Sequence, residues 1–233
     1  SCDGFCIASF DFSRCATLPA FAGGNPAINW DYDTAGAMDV NDAAGAVGGS
    51  FNGAVSSIPG VLGNAVDFDG SSWIQGAGPA PLNLSAYTFM TWVRTAGGSG
   101  LDFIMSSGDG PTVYTGSALM LDGNDITSLY EAGSSGQEIL FGGGPVCGSA
   151  WTHLAMTFDA GAIALYADGQ LLGATTAPYA AITHSGNPFA VANDPNNLTR
   201  TFTGSVDESL VFNSGLSQAD VASAMDHQLC GSW

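Results

Sequence analysis

The sequence contains no lysine, and its cationic side chains are three arginines, Arg14, Arg94 and Arg200. Against them stand 21 Asp and Glu residues, a formal net charge of −18 at pH 7. A surface of that sign repels nucleic acid and anionic membranes, because phosphate binding depends on clustered Lys and Arg. It keeps a chain soluble by self-repulsion, which suits a secreted protein in salty or calcium-containing water. Glutamate is scarce, at Glu131, Glu138 and Glu208. No apolar run approaches the ~20 residues of a membrane-spanning helix. Neither a Gly-x-Ser-x-Gly elbow nor a phosphate loop occurs. The chain opens at Ser1 without a charged-then-apolar leader, the form expected of a secreted protein whose signal has been removed.

What is abundant points to strands and turns. Hydrophobic residues make up 45% of the 233 residues, enough for a sizeable core, and 33 glycines punctuate them. A single domain is expected, since all-β sandwiches of this length are often one unit. Five cysteines, Cys2, Cys6, Cys15, Cys147 and Cys230, lack zinc-finger spacing, and His153, His184 and His227 are scattered. They are candidates for disulfides in an oxidising compartment. Four of them are expected to form two intrachain bridges, one tying the N-terminal extension to the rest of the chain. The fifth is left inert or for a neighbouring chain.

Residues 1–28 read as a cysteine-containing extension and residues 29–233 as the folded domain. "AINWDYD", "NAVDFDGSSWIQ" and "YTFMTWVRT" alternate as strands do, the second broken by a turn at Asp69-Gly70. "WTHLAMTFDAGAIALYADGQLLGA" reads as a three-strand meander. Its Asp168-Gly169 step signals a type I′ hairpin, in which both central residues need φ > 0. One segment, Ser217 to Met225, has helical character, with Ser217 as cap and Asp220 as the acidic third residue. The expected fold class is all-β: a two-sheet antiparallel jelly-roll sandwich with one short C-terminal helix.

The order of "NWDYD", "NDAAG", "FNGAV", "PGVLGNAVDFDGSSWI", "YTFMTWVRT", the meander and "FTGSVDESLVFNSGLSQADV" resembles the laminin-G-like, concanavalin-A-like jelly-roll family from about Asn29 to Val221. The resemblance implies two antiparallel sheets packed face to face, with the meander in the back sheet. It also implies a calcium site between an N-terminal loop and a near-C-terminal strand, onto which Asp42, Asn52, Asp207 and Glu208 map. Hard cations take six to eight oxygens from such carboxylates, amides and carbonyls. The loops "LDGNDI" and "ANDPNN" are lesser candidates for the same ion.

Glycosidase chemistry on such a sandwich needs two carboxylates flanking a bond. The pairs Asp67/Asp69 and Asp31/Asp33 offer the spacing without a Glu-x-Asp-x-Glu run, and read as turn or calcium carboxylates. His153 is expected to bond a neighbouring strand and not to act as a base. Trp92 and Trp151 fall on core positions, while Trp73, Tyr114, Tyr130 and Tyr179 are freer to meet a sugar face. The expectation is a secreted or cell-surface, non-catalytic module that works by surface contact, through adhesion or glycan binding with structural calcium. Its partners are then a glycan or a surface protein. The alternative is a self-assembling subunit of an extracellular filament or surface layer that binds copies of itself, with "CIASFDFSRC" (Cys6 to Cys15) added as a strand to the edge of an adjacent subunit. A polysaccharide-cleaving enzyme is the third class.

Overall fold

The computed structural model describes residues 15–16, 18–33, 39–40, 44–45, 47–79, 81–95, 100–107, 116–123, 125–132, 137–146, 148, 150–183, 186, 188–194 and 199–230. In chain order the strands begin with β1 (Ile28–Trp30), β2 (Asp39–Val40), β3 (Gly49–Asn52), β4 (Ser56–Pro59), β5 (Asn64–Asp69) and β6 (Trp73–Gly76). Then come β7 (Ala86–Arg94), β8 (Leu101–Ser106), β9 (Gly116–Asp122), β10 (Asp125–Ala132) and β11 (Gln137–Pro145). The meander supplies β12 (Thr152–Asp159), β13 (Ala162–Ala167) and β14 (Gln170–Thr176). The short β15 (Ala190–Val191) and the long β16 (Thr203–Phe212) precede one helix, α1 (Gln218–Cys230). Two antiparallel sheets result. The first runs β14-β13-β12-β7-β16-β5-β4 with β1 beside β16, and the second runs β11-β10-β9-β8-β15-β6-β3-β2. This is the expected jelly-roll sandwich.

Local chemistry sets the meander. Asp168 (φ 48°) and Gly169 (φ 72°) both take the left-handed backbone that a type I′ turn requires, and Ala160 (φ 47°) with Gly161 (φ 94°) repeats the device one hairpin earlier. Alternation then aims Leu154, Met156, Phe158, Ile163 and Leu165 at the core between the sheets, where Trp30, Tyr87, Phe89 and Phe189 are also fully buried. Each such side chain contributes roughly 1.5–3 kcal/mol on burial. "NAVDFDGSSWIQ" divides as expected, but its halves join different sheets: β5 lies in the first and β6 in the second. Asp69 makes that corner, its Oδ1 accepting from the Ser71 N–H at 2.8 Å and from the hydroxyls of Ser71 and Ser72.

The first sheet is buried on its outer face too. Met90, Ala155, Leu210 and Phe212 point away from the main core and meet Val221 and Ala224 of α1, with Phe21 of the extension against Phe212 at 5.5 Å. Trp92 meets Met225 and Leu229. A disulfide joins Cys15 to Cys230, 215 residues apart, and so ties the extension to the end of the helix. Cys2, Cys6 and Cys147 lie outside the described residues. The helix is capped as expected, Ser217 Oγ donating to Asp220 Oδ2 at 2.6 Å, but it runs to Cys230 instead of ending at Met225. The reason is that its last turns bury polar side chains, Asp226, His227 and Gln228, which carry no amphipathic signal. His227 finds the Pro19 carbonyl at 3.0 Å.

Candidate functional site

Strand β16 changes partner along its length. Thr203–Val206 pair with β5 and Ser209–Val211 pair with β1, while on the other side the register with β7 slips between Asp207 and Leu210. The slip is a β-bulge, and it holds Glu208 at φ 50°. Where β5 ends and β1 begins, the gap is filled by the β4–β5 turn. Asp207 Oδ2 accepts from the N–H of Val61 at 2.7 Å and of Leu62 at 3.3 Å. Asp33 Oδ1 accepts from the Asn64 N–H at 2.8 Å. Gly63 turns this corner at φ 60°, against the Asp33 carboxylate where a side chain would collide. Carboxylates thereby collect: burial, with the negative charges of Asp207, Asp31 and Asp33, pushes Glu208 up to about 9. Burial likewise pushes Asp207 up to about 7, against the pull of its N–H donors.

Of the four expected calcium ligands, Asp207 and Glu208 are adjacent and buried at this bulge. Asn52 ends β3 in the other sheet, its amide donating to Ser50 O at 3.3 Å, and Asp42 lies outside the described residues. Among the described residues no three His, Cys, Asp or Glu side chains form a metal-holding group. One feature does suit a cation: Asp207 Oδ1 is buried without any hydrogen-bond donor. The lesser loops differ. Asp122 and Asp125 flank an exposed hairpin, and Asp194 is buried in a 3.4 Å ion pair with Arg200.

His153 departs from expectation. It bonds the helix and not a strand, Nε2 lying 3.0 Å from Gln228 Oε1, while Gln228 Nε2 donates to the Glu208 carbonyl at 2.6 Å. The amide orientation this fixes requires His153 to carry its proton on Nε2. Burial lowers its pKa to about 3, so it is a neutral structural group. The carboxylate pairs are also divided in role, Asp69 at the sheet corner and Asp67 accepting from the Ser205 hydroxyl at 2.7 Å. The hydrogen bonds from Ser71 and Ser72 hold Asp69 below the usual carboxylate range. Trp73 and Tyr179 are partly buried against the core, and Trp151, expected inside, is partly exposed. Tyr114 and the Tyr130 side chain lie outside the described residues.

A groove of about 510 Å³ opens on the outer face of the meander, where α1 starts and no longer covers the sheet. Thr157, Asp159, Tyr166 and Thr176 line it from β12, β13 and β14, and Leu216 and Ser217 close it from the turn before the helix. Asp159, Thr176 and Ser217 are exposed in it, over a floor formed by the buried Thr157 and Tyr166, and a carboxylate with hydroxyls around a groove can hold a polyhydroxylated ligand through hydrogen bonds. The sequence expectations assign none of these residues to a binding site. Most of them come from three strands, and the groove over them depends on where the helix starts.

The concanavalin A-like lectin/glucanases superfamily, in its laminin-G type, matches residues 68–222, and the chain belongs to that family. No curated protein matches the chain in sequence. Among solved structures it is similar to domain 4 of AbnA, a GH43 extracellular arabinanase from Geobacillus stearothermophilus, in complex with arabinotriose. The identity is 22% and the TM-score 0.67, over 85% of this chain and 97% of that one. It is similar to the binding domain of Paraclostridial Mosquitocidal Protein 1, with 12% identity and a TM-score of 0.68 over 85% and 51% of the two chains. The binding domain of botulinum neurotoxin DC in complex with SialylT has 11% identity and a TM-score of 0.66, over 88% and 52%. This chain thus spans about half of either toxin domain. At these identities the likeness is one of fold.

Proposed function

We propose that the chain is a non-catalytic, glycan-binding module of an extracellular protein, stabilised by calcium. The observation that carries the reading is the groove, with Asp159 and Thr176 exposed around a floor of Thr157 and Tyr166 on the outer face of the first sheet. Family membership supports it, as do the solved relatives with arabinotriose or SialylT bound. The Cys15–Cys230 disulfide supports an oxidising compartment, and no described helix is long and apolar enough to cross a membrane. Calcium would be held by Asp207 and Glu208, with Asp42 and Asn52 as further donors from the sequence. The orphaned Asp207 Oδ1 gives it a ready oxygen. Its chemistry would be structural: neutralising carboxylates where β16 changes partner.

A glycan array tests this reading. Binding of at least one oligosaccharide class is expected, weakened tenfold or more in Tyr166→Ala. Because Tyr166 also packs against the helix, the exposed Asp159→Ala variant is the second arm, and it too should weaken binding. Hydrolysis of a bound oligosaccharide would make the module an enzyme and overturn its non-catalytic part.

A further inference from the structure

The three arginines have different surroundings. Arg14 lies outside the described residues, and Arg200 is paired with Asp194 at 3.4 Å. Arg94 ends β7, and among the described residues no carboxylate forms an ion pair with it. Arg94 is instead held in place. Its Cζ lies 4.9 Å from the centre of the Trp151 ring, and Nη2 donates to Ser205 Oγ across a long 3.4 Å contact. Trp151 in turn packs on Trp92, Met225 and Leu229 at the far end of α1, away from the groove.

Register places Ser56, Asp67, Ser205 and Arg94 in one row across β4, β5, β16 and β7, on the outer face of the first sheet. A guanidinium stacked on a ring keeps its N–H edge free, since all five donors lie in its plane. One of those donors is used here. The remaining fork matches the two oxygens of a carboxylate. Beside it, Asp67 accepts from Ser205 at 2.7 Å and has lone pairs left for ligand hydroxyls. We infer that Arg94, seated on Trp151 beside Asp67, is a second carbohydrate contact that binds the carboxylate of a terminal acidic sugar.

The charge balance narrows the ligand. Nucleic acid and heavily sulfated chains need several cations, and among the described residues Arg94 is the one cation of this row. A polyanion would also be repelled by the net charge of −18, whereas a single carboxylate at the end of a neutral oligosaccharide meets mainly the local fork. The site shares the glycan reading above but not the groove, so the two can fail separately.

Three arginines give three Nε–H correlations in a 15N-labelled sample, and Arg94→Lys assigns the one that matters. Titration uses 3′-sialyllactose, neutral lactose and sodium acetate. The Arg94 signal should shift saturably with 3′-sialyllactose and stay in place with equimolar lactose or acetate, with Arg200 as internal reference. Calorimetry should show at least a tenfold loss of 3′-sialyllactose affinity in Arg94→Lys, because an ammonium cannot offer the paired N–H fork. A silent Arg94 signal overturns the inference even if lactose binds the groove. An equal response to acetate overturns it too, leaving an anion contact without sugar recognition.

Discussion

Gln228 donates from Nε2 to the backbone carbonyl of Glu208 at 2.6 Å, joining the last turn of α1 to the residue at which β16 buckles. The same amide meets His153 through its oxygen, so three elements of the outer layer depend on one buried side chain. Gln228→Leu would leave the Glu208 carbonyl and the His153 N–H without partners. Each orphaned group costs about 1–3 kcal/mol, so the variant should melt several degrees lower than the wild type. An unchanged melting temperature would mean that water replaces the amide.

His153 gives the acid side of the stability curve a defined component. Its pKa is about 3 in the fold against 6.5 when exposed. Its stabilising contribution is therefore fully present above pH 6.5 and is lost as pH falls towards 3, because the unfolded chain takes the proton first. Asp168, raised by burial to about 6, opposes this trend, as do Asp207 and Glu208. The clean observable is thus a difference between proteins. Relative to wild type, His153→Leu should gain about 3 kcal/mol between pH 7 and pH 4, read from urea denaturation at each pH. A constant difference would place the proton elsewhere.

Calcium at the bulge should raise the melting temperature of the wild type in millimolar calcium relative to chelator, by mass action on the native state. Asp207→Asn should abolish that response, and Asp42→Ala should abolish or reduce it. Identical wild-type melting curves with and without the ion would remove calcium from the account.

The disulfide between Cys15 and Cys230 holds the extension over Phe212 and the helix end over Trp92. Cys15→Ser should cost about 2–5 kcal/mol. It should also raise hydrogen exchange in α1 before the core strands respond, because the outer layer loses its covalent tie first.

Much of the fold can be read locally. Asp168-Gly169 announces its hairpin because two consecutive left-handed residues leave few alternatives, and the apolar alternation of "LAMTF" identifies the core face. "SVDESL" reads as an unbroken strand, however, and the bulge at Glu208 arises only because β5 hands over to β1 beside it. The helix outlasts its apolar pattern since Gln228 and His227 are buried by their partners and not by their hydrophobicity. The adjacent carboxylates Asp207 and Glu208 are legible through a family motif. Thr157, Asp159 and Tyr166 look like ordinary strand residues, and nothing in the chain order says that a groove opens over them beside the start of α1.

The most direct test of the central claim is backbone amide NMR with the oligosaccharide that binds best on an array. The account predicts saturable shifts concentrated at Thr157, Asp159, Tyr166, Thr176 and Ser217, and their loss in Asp159→Ala. Shifts confined to other surfaces, or no oligosaccharide that binds at all, would contradict it.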